Sequence, residues 1–405
     1  MPASLKTLGP GILVTAAFIG PGTVTTASIA GAGFGFALLW ALLFSVAATM
    51  VLQEMSARLG LVTRRGLADA LRDFFSYGWL GTAATLLVVA AIGFGNAAYE
   101  AGNIVGAALG LESVLNWPVS LSSLLVGGLA AALLASGRYA LIETLLVALV
   151  LLMSLVFLAT LFQVRPDISA MLKGALIPSL PSGSMLTVIA LVGTTVVPYN
   201  LFLHASAVQE KWPAQSSIDE SLREARTDIG VSVGLGGLIT IAVMSTAASA
   251  FFGGMAEFSA ANMAEQLEPL LGSAARYFFA AGLFAAGLSS AVTAPLAASY
   301  AVCGILGWST DLTSKRFRMV WIAVLLSGTA FAAAGTKPLT AILFAQAANG
   351  FLLPVCAGFL LLLMNRKDSL GDHVNGPLSN LAGIGVVAVT LVLGGLKILQ
   401  VLGFL

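Results

Sequence analysis

Charged residues are scarce in this chain of 405 residues. Lysine, arginine, aspartate and glutamate together make up 9% of it, far below the roughly 25% of a soluble globular domain. A hydrophobic content of 58% and a mean hydropathy of +0.98 exclude a disordered chain. The apolar residues form long runs, whereas the strands of a membrane β-barrel show weak alternation. The composition therefore predicts an all-α polytopic membrane protein.

Cysteine and histidine are also rare, with two residues of each. Cys303 and Cys356 both lie in apolar runs, so we expect core packing and no disulfide. The connecting segments hold no nucleophile–base pair, no phosphate loop and no cluster of histidine, cysteine and acids. We therefore expect neither an enzyme nor a cofactor. The apolar run after Lys6 is too long for a cleavable signal peptide and leads directly into further spans.

Eleven apolar runs are long enough to cross a bilayer, since each span needs about 20 residues. They cover residues 8–33, 36–57, 80–109, 117–136, 140–163, 184–207, 228–253, 270–300, 317–334, 339–364 and 379–403. With the N-terminus in the cytoplasm, most of the 19 lysines and arginines fall on the cytoplasmic side. The sequence predicts a multi-pass protein of the plasma (inner) membrane with a cytoplasmic N-terminus.

Two of these spans are interrupted, one by Gly20-Pro21-Gly22-Thr23 and one by Val197-Pro198-Tyr199-Asn200. Proline removes a backbone donor and glycine weakens a helix, so both spans should break at mid-membrane depth. Matched breaks five spans apart are typical of a transporter with two inverted repeats of five helices. We predict one domain over 1–405, with repeats at 8–164 and 183–364 and an additional helix at 379–403.

Two connecting segments contain enough helix-forming residues to form short helices of their own. They run from Leu67 to Tyr77 and from Trp212 to Asp228. Each is predicted to be a short surface helix that connects two spans, and a mobile gate is the alternative.

Motifs spread over nearly the whole chain carry a family resemblance. They are Gly9-Pro10-Gly11, Phe18 to Thr23, Gln53 to Arg72, Pro198 to His204, Ala345-Gln346, Leu353-Pro354 and Met364 to Asn375. These segments resemble the NRAMP family of divalent-metal transporters. The resemblance implies the leucine-transporter fold, with helices 1 and 6 broken at the binding site.

The metal-binding motifs of that family are altered in this chain. The resemblance implies Asp-Pro-Gly-Asn in helix 1 and Met-Pro-His-Asn in helix 6. Gly20 and Thr23 replace the aspartate and the asparagine of the first motif, and Val197 and Tyr199 replace the methionine and the histidine of the second. Thr194 occupies the position whose carbonyl assists. Because a divalent cation in a low dielectric needs negative charge or many oxygen ligands, these losses argue against a transition-metal site.

The remaining groups at the breaks are neutral donors. A Gly-Pro-Gly turn at a helix N-terminus presents backbone N–H groups to an anion. We therefore predict a small anion as substrate, either an oxyanion such as bicarbonate or the carboxylate of an amino acid. The resemblance implies a cavity for a small ion, so bicarbonate ranks first and an NRAMP-related branch that moves bicarbonate is the nearest match. The predicted substrate-binding residues are Gly20, Pro21, Gly22, Thr23, Thr194, Val197, Tyr199, Asn200 and Gln346, with Thr25 and Asn349 at a similar depth. Ordinary packing of small polar residues at a helix crossing is the alternative.

A driving ion is expected, because the cell interior is negative and repels an anion. The resemblance places Glu100 and Asn103 at two positions that are acidic in proton-coupled relatives, so the proton route is incomplete. Sodium is favoured, at a site formed by carbonyls from Ala17 to Gly20 and by hydroxyls of the eighth span. The coupling-ion residues are Ser289, Ser290, Thr293 and Glu100, and the gating or proton-relay residues are Asn103 and His204. For the hydroxyls of the eighth span the alternative is ordinary helix packing, and for His204 it is a buried neutral histidine. Glu100 could carry a proton or simply accept a hydrogen bond from Asn103.

The sequence as a whole predicts a secondary active transporter that imports a small anion together with sodium. The expected partners are a small inorganic anion, sodium and the lipid bilayer, with no nucleic acid and a monomeric state. The alternative function is transport of Mg²⁺ or Mn²⁺ at an atypical site. That alternative predicts that Thr23, Asn200, Gln346 and Glu100 converge with water on one point.

Overall fold

A computed structural model describes residues 19–75, 78–136, 140–213, 217–254, 258–335 and 337–403. The regular structure of these residues is helical. The helices are α1 (Pro21–Phe34), α2 (Leu39–Thr63), α3 (Leu67–Phe74), α4 (Trp79–Val88), α5 (Gly95–Leu115), α6 (Val119–Ser136), α7 (Ala140–Val164), α8 (Ile168–Leu176), α9 (Met185–Thr195), α10 (Pro198–Lys211), α11 (Ile218–Phe251), α12 (Glu268–Leu271), α13 (Ala275–Leu306), α14 (Lys315–Ala333), α15 (Pro338–Leu363), α16 (Lys367–Leu370) and α17 (Pro377–Val401).

Ten helical stretches in the described part are long and apolar enough to cross a membrane. They correspond to the second through eleventh predicted spans. Of the first span, α1 is the described half, and residues 8–18 lie outside the described residues. The all-helical, multi-pass prediction is therefore confirmed, while the exact repeat boundaries stay a prediction.

The third span contains a feature that apolar length does not predict. Between α4 and α5, Val89–Phe94 forms a single π-helical segment, so the span runs from Gly81 to Leu115 with a local widening. Such π-bulges add one residue to a turn and shift the register of the side chains beyond it.

The two connecting segments that were predicted to form short helices have different outcomes. The first, Leu67 to Tyr77, does form a helix, α3, which ends at Phe74, while residues 76–77 lie outside the described residues. Its position at the cytoplasmic surface stays a prediction. The second, Trp212 to Asp228, is wrong as a separate helix, because α11 begins at Ile218 and continues without interruption to Phe251. Asp219 and Glu220 in its first turn stabilise that start through the helix dipole.

Glycine allows several helices to cross closely. A Cβ added to Gly193 of α9 would overlap the carbonyl oxygen of Gln346 on α15, and one added to Gly31 of α1 would overlap that of Met244 on α11. Close backbone approach through small residues is the usual means of helix association in membranes. The first crossing brings α9 against α15, the second brings α1 against α11, and α1 also packs on both α9 and α15.

Candidate functional site

The first break lies immediately before α1. Gly20 has an extended backbone, and Pro21 opens the helix at a position where its missing N–H costs nothing. Pro21 packs against Gly106 of α5, where a side chain on the glycine would overlap the proline ring. A Cβ on Gly22 would overlap the amide of Gln346, so the amide side chain of α15 lies directly against the backbone of the break.

The second break separates α9 from α10. Val196 and Val197 leave the helical conformation between Thr195 and Pro198. Because residue 198 is a proline, the carbonyl of Thr194 lacks the N–H donor that normally lies four residues along a helix. The C-terminal end of α9 therefore presents carbonyl oxygen, with partial negative charge, at the break.

A hydrogen bond joins the two breaks. The hydroxyl oxygens of Thr23 and Thr194 lie 2.7 Å apart, although the residues are 171 positions apart in sequence. Both side chains are buried. The two hydroxyls therefore lie at one depth, and Gln346 of α15 reaches the neighbouring Gly22. Their role in binding a substrate stays a prediction.

Buried amides without partners surround this hydrogen bond. Both polar atoms of the Asn200 side chain and both of Gln346 lack hydrogen-bond partners among the described residues. The same holds for Nδ2 of Asn349 and the hydroxyl of Thr25. All four side chains are at most 1% exposed. Since buried polar groups are nearly always paired, such a cluster indicates that a ligand or water supplies the missing partners.

The remaining predicted substrate residues form the walls of the site. Val197 and Tyr199 are buried, and the Tyr199 ring packs edge to face on Tyr99, with centroids 5.7 Å apart. The Tyr99 hydroxyl is 3.8 Å from the place that a Cβ on Gly20 would take. The sequence analysis missed Tyr99, although the spacing of Tyr99, Gly102 and Gly106 on one face of α5 could have indicated it.

Helix α13 contributes only part of its predicted set. Ser290 is buried, and its hydroxyl oxygen is 3.0 Å from the position of a Cβ on Gly20. Ser289 and Thr293 share a different face, where the Thr293 hydroxyl donates to the Ser289 carbonyl over 2.9 Å. Ser290 therefore lies against Gly20 of the first break, and the coupling role of all three residues stays a prediction. Of the predicted carbonyls, those of Ala17 and Phe18 lie outside the described residues.

Glu100 is directed away from the breaks. Its side chain packs against Gly328 of α14, whereas Gly102 of the same helix faces Gln346. Glu100 Oε2 accepts a hydrogen bond from Asn103 Nδ2 at 3.2 Å, and the carboxylate is fully buried. The geometry therefore separates Glu100 from Thr23 and Gln346, contrary to the convergence that the metal alternative predicts.

His204 lies one turn beyond Asn200 on α10. Its Nδ1 is 2.7 Å from Gln53 Oε1 of α2, and both side chains are buried. The hydroxyl of Thr49, one turn before Gln53, donates to the Thr195 carbonyl at 3.4 Å. Helix α2 therefore holds both halves of the second broken helix. The relay role of His204 stays a prediction.

Comparison with known proteins identifies the family. The family model described as natural resistance-associated macrophage protein-like matches residues 11–400. A divalent metal cation transporter MntH from Caldanaerobacter subterraneus is 28% identical over 97% of this chain and 92% of its own length. A second, from Erwinia tasmaniensis, is 28% identical over 96% of this chain and 92% of its own.

Solved structures share the fold. An Eremococcus coleocola manganese transporter, in complex with an aromatic bis-isothiourea substituted compound, superposes with a TM-score of 0.76 at 22% identity, over 97% of this chain and 86% of its own. The transporter Mhp1 gives 0.58 at 13% identity, over 97% and 93%, and MhsT gives 0.57 at 16%, over 96% and 97%. The predicted leucine-transporter-like fold is thereby confirmed.

The relatives overturn one prediction. The expected substrate partner, a small inorganic anion with bicarbonate first, is wrong, because the relatives are named as transporters of divalent metal cations. Sodium as the driving ion stays a prediction. The prediction failed for a physical reason. It counted charged and sulfur ligands lost from side chains, but it gave little weight to the carbonyl oxygens and neutral amides that the breaks expose to a cation.

The family match spans the chain, the broken helices meet at one buried polar site, and the helical bundle has the leucine-transporter arrangement. Members of this family are transporters and not enzymes. The chain belongs to the natural resistance-associated macrophage protein family and is a secondary transporter of the membrane.

Proposed function

We propose that this chain moves a divalent metal cation, Mg²⁺ or Mn²⁺, across the plasma (inner) membrane by alternating access. The names of its relatives support a metal substrate. The observation that carries the proposal is the cluster of buried amides at the two breaks, in which Asn200 and Gln346 have no partner among the described residues. The positive-inside distribution supports a cytoplasmic N-terminus.

The ligands available for the cation are neutral oxygens. They are Asn200 Oδ1, Gln346 Oε1, the hydroxyl of Thr23 and the carbonyl of Thr194, which Pro198 leaves without its helical donor. Amide, hydroxyl and carbonyl oxygens suit hard cations, and the C-terminal end of α9 adds partial negative charge. An apolar valine replaces the soft sulfur ligand of the family at Val197, which disfavours softer transition metals.

The ligand set of this site contains no carboxylate, and this affects how much water the bound cation keeps. Within the described ranges, no group of three or more histidine, cysteine, aspartate or glutamate side chains could hold a metal. The four neutral oxygens named above are fewer than the roughly six that Mg²⁺ takes, so the cation keeps part of its water shell, as Mg²⁺ commonly does in proteins. Water molecules then bridge the cation to the amides and satisfy their remaining donors.

The other predicted residues take supporting roles in this proposal. The first break approaches Gln346 closely because it consists of Gly20, Pro21 and Gly22. The walls of the site are formed by Val197 and Tyr199. Ser290 is the first candidate for binding the ion that drives transport, since it lies against Gly20.

The test is uptake of Mn²⁺ and Mg²⁺ into proteoliposomes that contain the purified protein. We expect saturable uptake of at least one of the two ions. Asn200→Ala should lower it roughly ten- to a hundredfold, because a lost buried ligand costs about 1–3 kcal/mol. Gln400→Ala, at an exposed position near the end of α17, is the matched control. Folded wild-type protein that moves neither ion contradicts the proposal.

A further inference from the structure

A polar cavity lies where α2, α3 and α15 end. Its volume is about 480 Å³. The polar side chains in its wall are Thr63, Arg65, Asp73, Arg366, Asp368 and Ser369. Because Thr63 and Leu363 are the last residues of two membrane-spanning helices, the cavity is at the boundary between bilayer and water.

The cavity carries equal numbers of positive and negative groups. Arg65 pairs with Asp73, and Arg366 pairs with Asp368, with Nε and Oδ1 2.7 Å apart in the second pair. All four side chains are between 41% and 59% exposed, so the guanidinium and carboxylate groups remain accessible. A ligand that carries one charge of each sign complements this wall better than a purely anionic or purely cationic one.

An apolar groove of about 630 Å³ follows the same helix away from the cavity. It is lined by Val355, Gly358, Phe359, Leu361, Leu362 and Asn365. A Cβ on Gly358 would meet no atom within 4 Å, so the groove is open at that point. Leu362 is 54% exposed, as a lipid-facing residue of a spanning helix is. The groove is thus shaped for an alkyl chain that lies along α15.

Aromatic rings connect the groove to the cavity. Phe359 in the groove packs edge to face on Phe75, with centroids 5.8 Å apart, and Phe75 packs in the same way on Phe74 in the cavity wall. The guanidinium of Arg366 lies over the Phe74 ring at 4.7 Å. Three contacting rings therefore run from the apolar groove to the polar cavity, and the polar end is the end nearer to water.

We propose that this composite site binds a single phospholipid whose headgroup carries a phosphodiester and a primary ammonium. The phosphodiester interacts with Arg65 and Arg366, the ammonium donates to Asp73 or Asp368, and one acyl chain occupies the groove beside Gly358. A choline headgroup cannot donate hydrogen bonds to the carboxylates, and a glycerol headgroup has no cation to pair with them.

The test is native mass spectrometry of the purified protein with phosphatidylethanolamine, phosphatidylcholine or phosphatidylglycerol added at equal concentration. This measurement does not involve transport, so its result is separate from that of the proposed function. We expect retention of phosphatidylethanolamine about tenfold above the other two, as for a gained charge-assisted hydrogen bond. Equal retention of all three lipids overturns the proposal.

Two variants separate the headgroup from the acyl chain. Arg65→Gln with Arg366→Gln should remove the preference among headgroups, whereas Arg223→Gln with Arg318→Gln, at exposed arginines elsewhere, should keep it. Gly358→Leu should fill the groove and lower retention of every lipid at this site. Gly385→Leu on α17, where a Cβ also meets no atom within 4 Å, is its control.

Glycerophosphoethanolamine, which lacks acyl chains, serves as a competitor. Weak competition by this soluble headgroup is expected, because the groove contributes to binding. If Gly358→Leu retains lipid as the wild type does and the free headgroup competes fully, the site binds a soluble zwitterion and the lipid assignment is wrong.

Discussion

Two buried glutamines of this protein have opposite surroundings. Gln266 and Gln346 are both fully buried. Gln266 Nε2 donates to the Ser28 hydroxyl at 3.0 Å and to the Met263 carbonyl at 2.8 Å, and its Oε1 accepts from Ser28 and Thr246. Neither polar atom of Gln346 has a partner in the part of the chain that the structure describes.

The difference distinguishes a structural amide from a functional one. Gln266 belongs to the 3₁₀ segment Met263–Leu267 and ties the loop before α13 to α1 and α11. Its hydrogen bonds offset the cost of burying it. Gln346 has no such compensation, and an unpaired buried amide costs about 1–3 kcal/mol. Residues with that cost are expected where a ligand binds, which agrees with the position of Gln346 against Gly22.

The largest expected effect comes from the backbone that supports Gln346. Gly193→Ala would place a methyl group on the Gln346 carbonyl oxygen and close to the N–H of Gly350. Since both are backbone atoms that cannot rotate away, α9 and α15 must separate. We expect little or no folded protein by size-exclusion chromatography in detergent. Gly395→Ala, where a Cβ meets nothing within 4 Å, should yield a normal peak.

The next largest effect is a difference in Mn²⁺ transport between variants of the two glutamines. Gln346→Leu should reduce Mn²⁺ uptake at least about tenfold, because leucine offers no oxygen to the cation. Unchanged uptake by this variant would remove Gln346 from the ligand set. Gln266→Leu should keep the binding affinity for Mn²⁺ in the protein that remains folded, because Gln266 does not contact the breaks.

The free energy of unfolding should rank the two variants in the opposite order, with the larger loss in Gln266→Leu. Gln266→Leu leaves the Ser28 hydroxyl and the Met263 carbonyl without their amide partner, at a cost of about 1–3 kcal/mol, whereas Thr246 still donates to the Val243 carbonyl. Gln346→Leu replaces an unpaired amide by an apolar group of similar volume and should leave stability unchanged or raise it. Thermal unfolding followed by tryptophan fluorescence measures both. Equal losses of Tm would contradict the distinction between the two residues.

The smallest effect tests the weakest contact of Gln266. Thr246→Val keeps the shape of the side chain but removes a hydroxyl that is 3.4 Å from Gln266 Oε1. The cost should be below about 1 kcal/mol, since Ser28 still donates to the same oxygen. A loss as large as that of Gln266→Leu would mean that Thr246, rather than Ser28, holds the segment in place.

The helices and their breaks could be predicted from local chemistry. Apolar length determines a span, and a proline at 21 or 198 determines a break wherever the chain folds. The error at Trp212 to Asp228 arose because a charged first turn resembles a separate surface helix, although nothing in it stops the helix before Phe251. The π-helical segment Val89–Phe94 depends on how α4 and α5 pack on their neighbours, and no residue in it requires that geometry.

The sequence predicted which residues form the candidate site better than it predicted which way their side chains face. Thr23, Thr194 and Gln346 do meet. Glu100, however, packs on Gly328 on the other side of α5, and Ser290 lies against Gly20. Helical spacing states which residues share a face, but the rotation of the helix in the bundle decides what that face contacts.

The sequence by itself determined a helical membrane transporter with two broken helices, because hydropathy, proline and glycine act locally and independently of distant contacts. Only the tertiary structure decided which buried polar groups remain without partners. Partnering depends on atoms that lie hundreds of residues apart, as for Ser28 and Gln266 or Thr23 and Thr194. The two glutamines have the same side chain, and only the folded bundle supplies partners to one and leaves the other for a ligand.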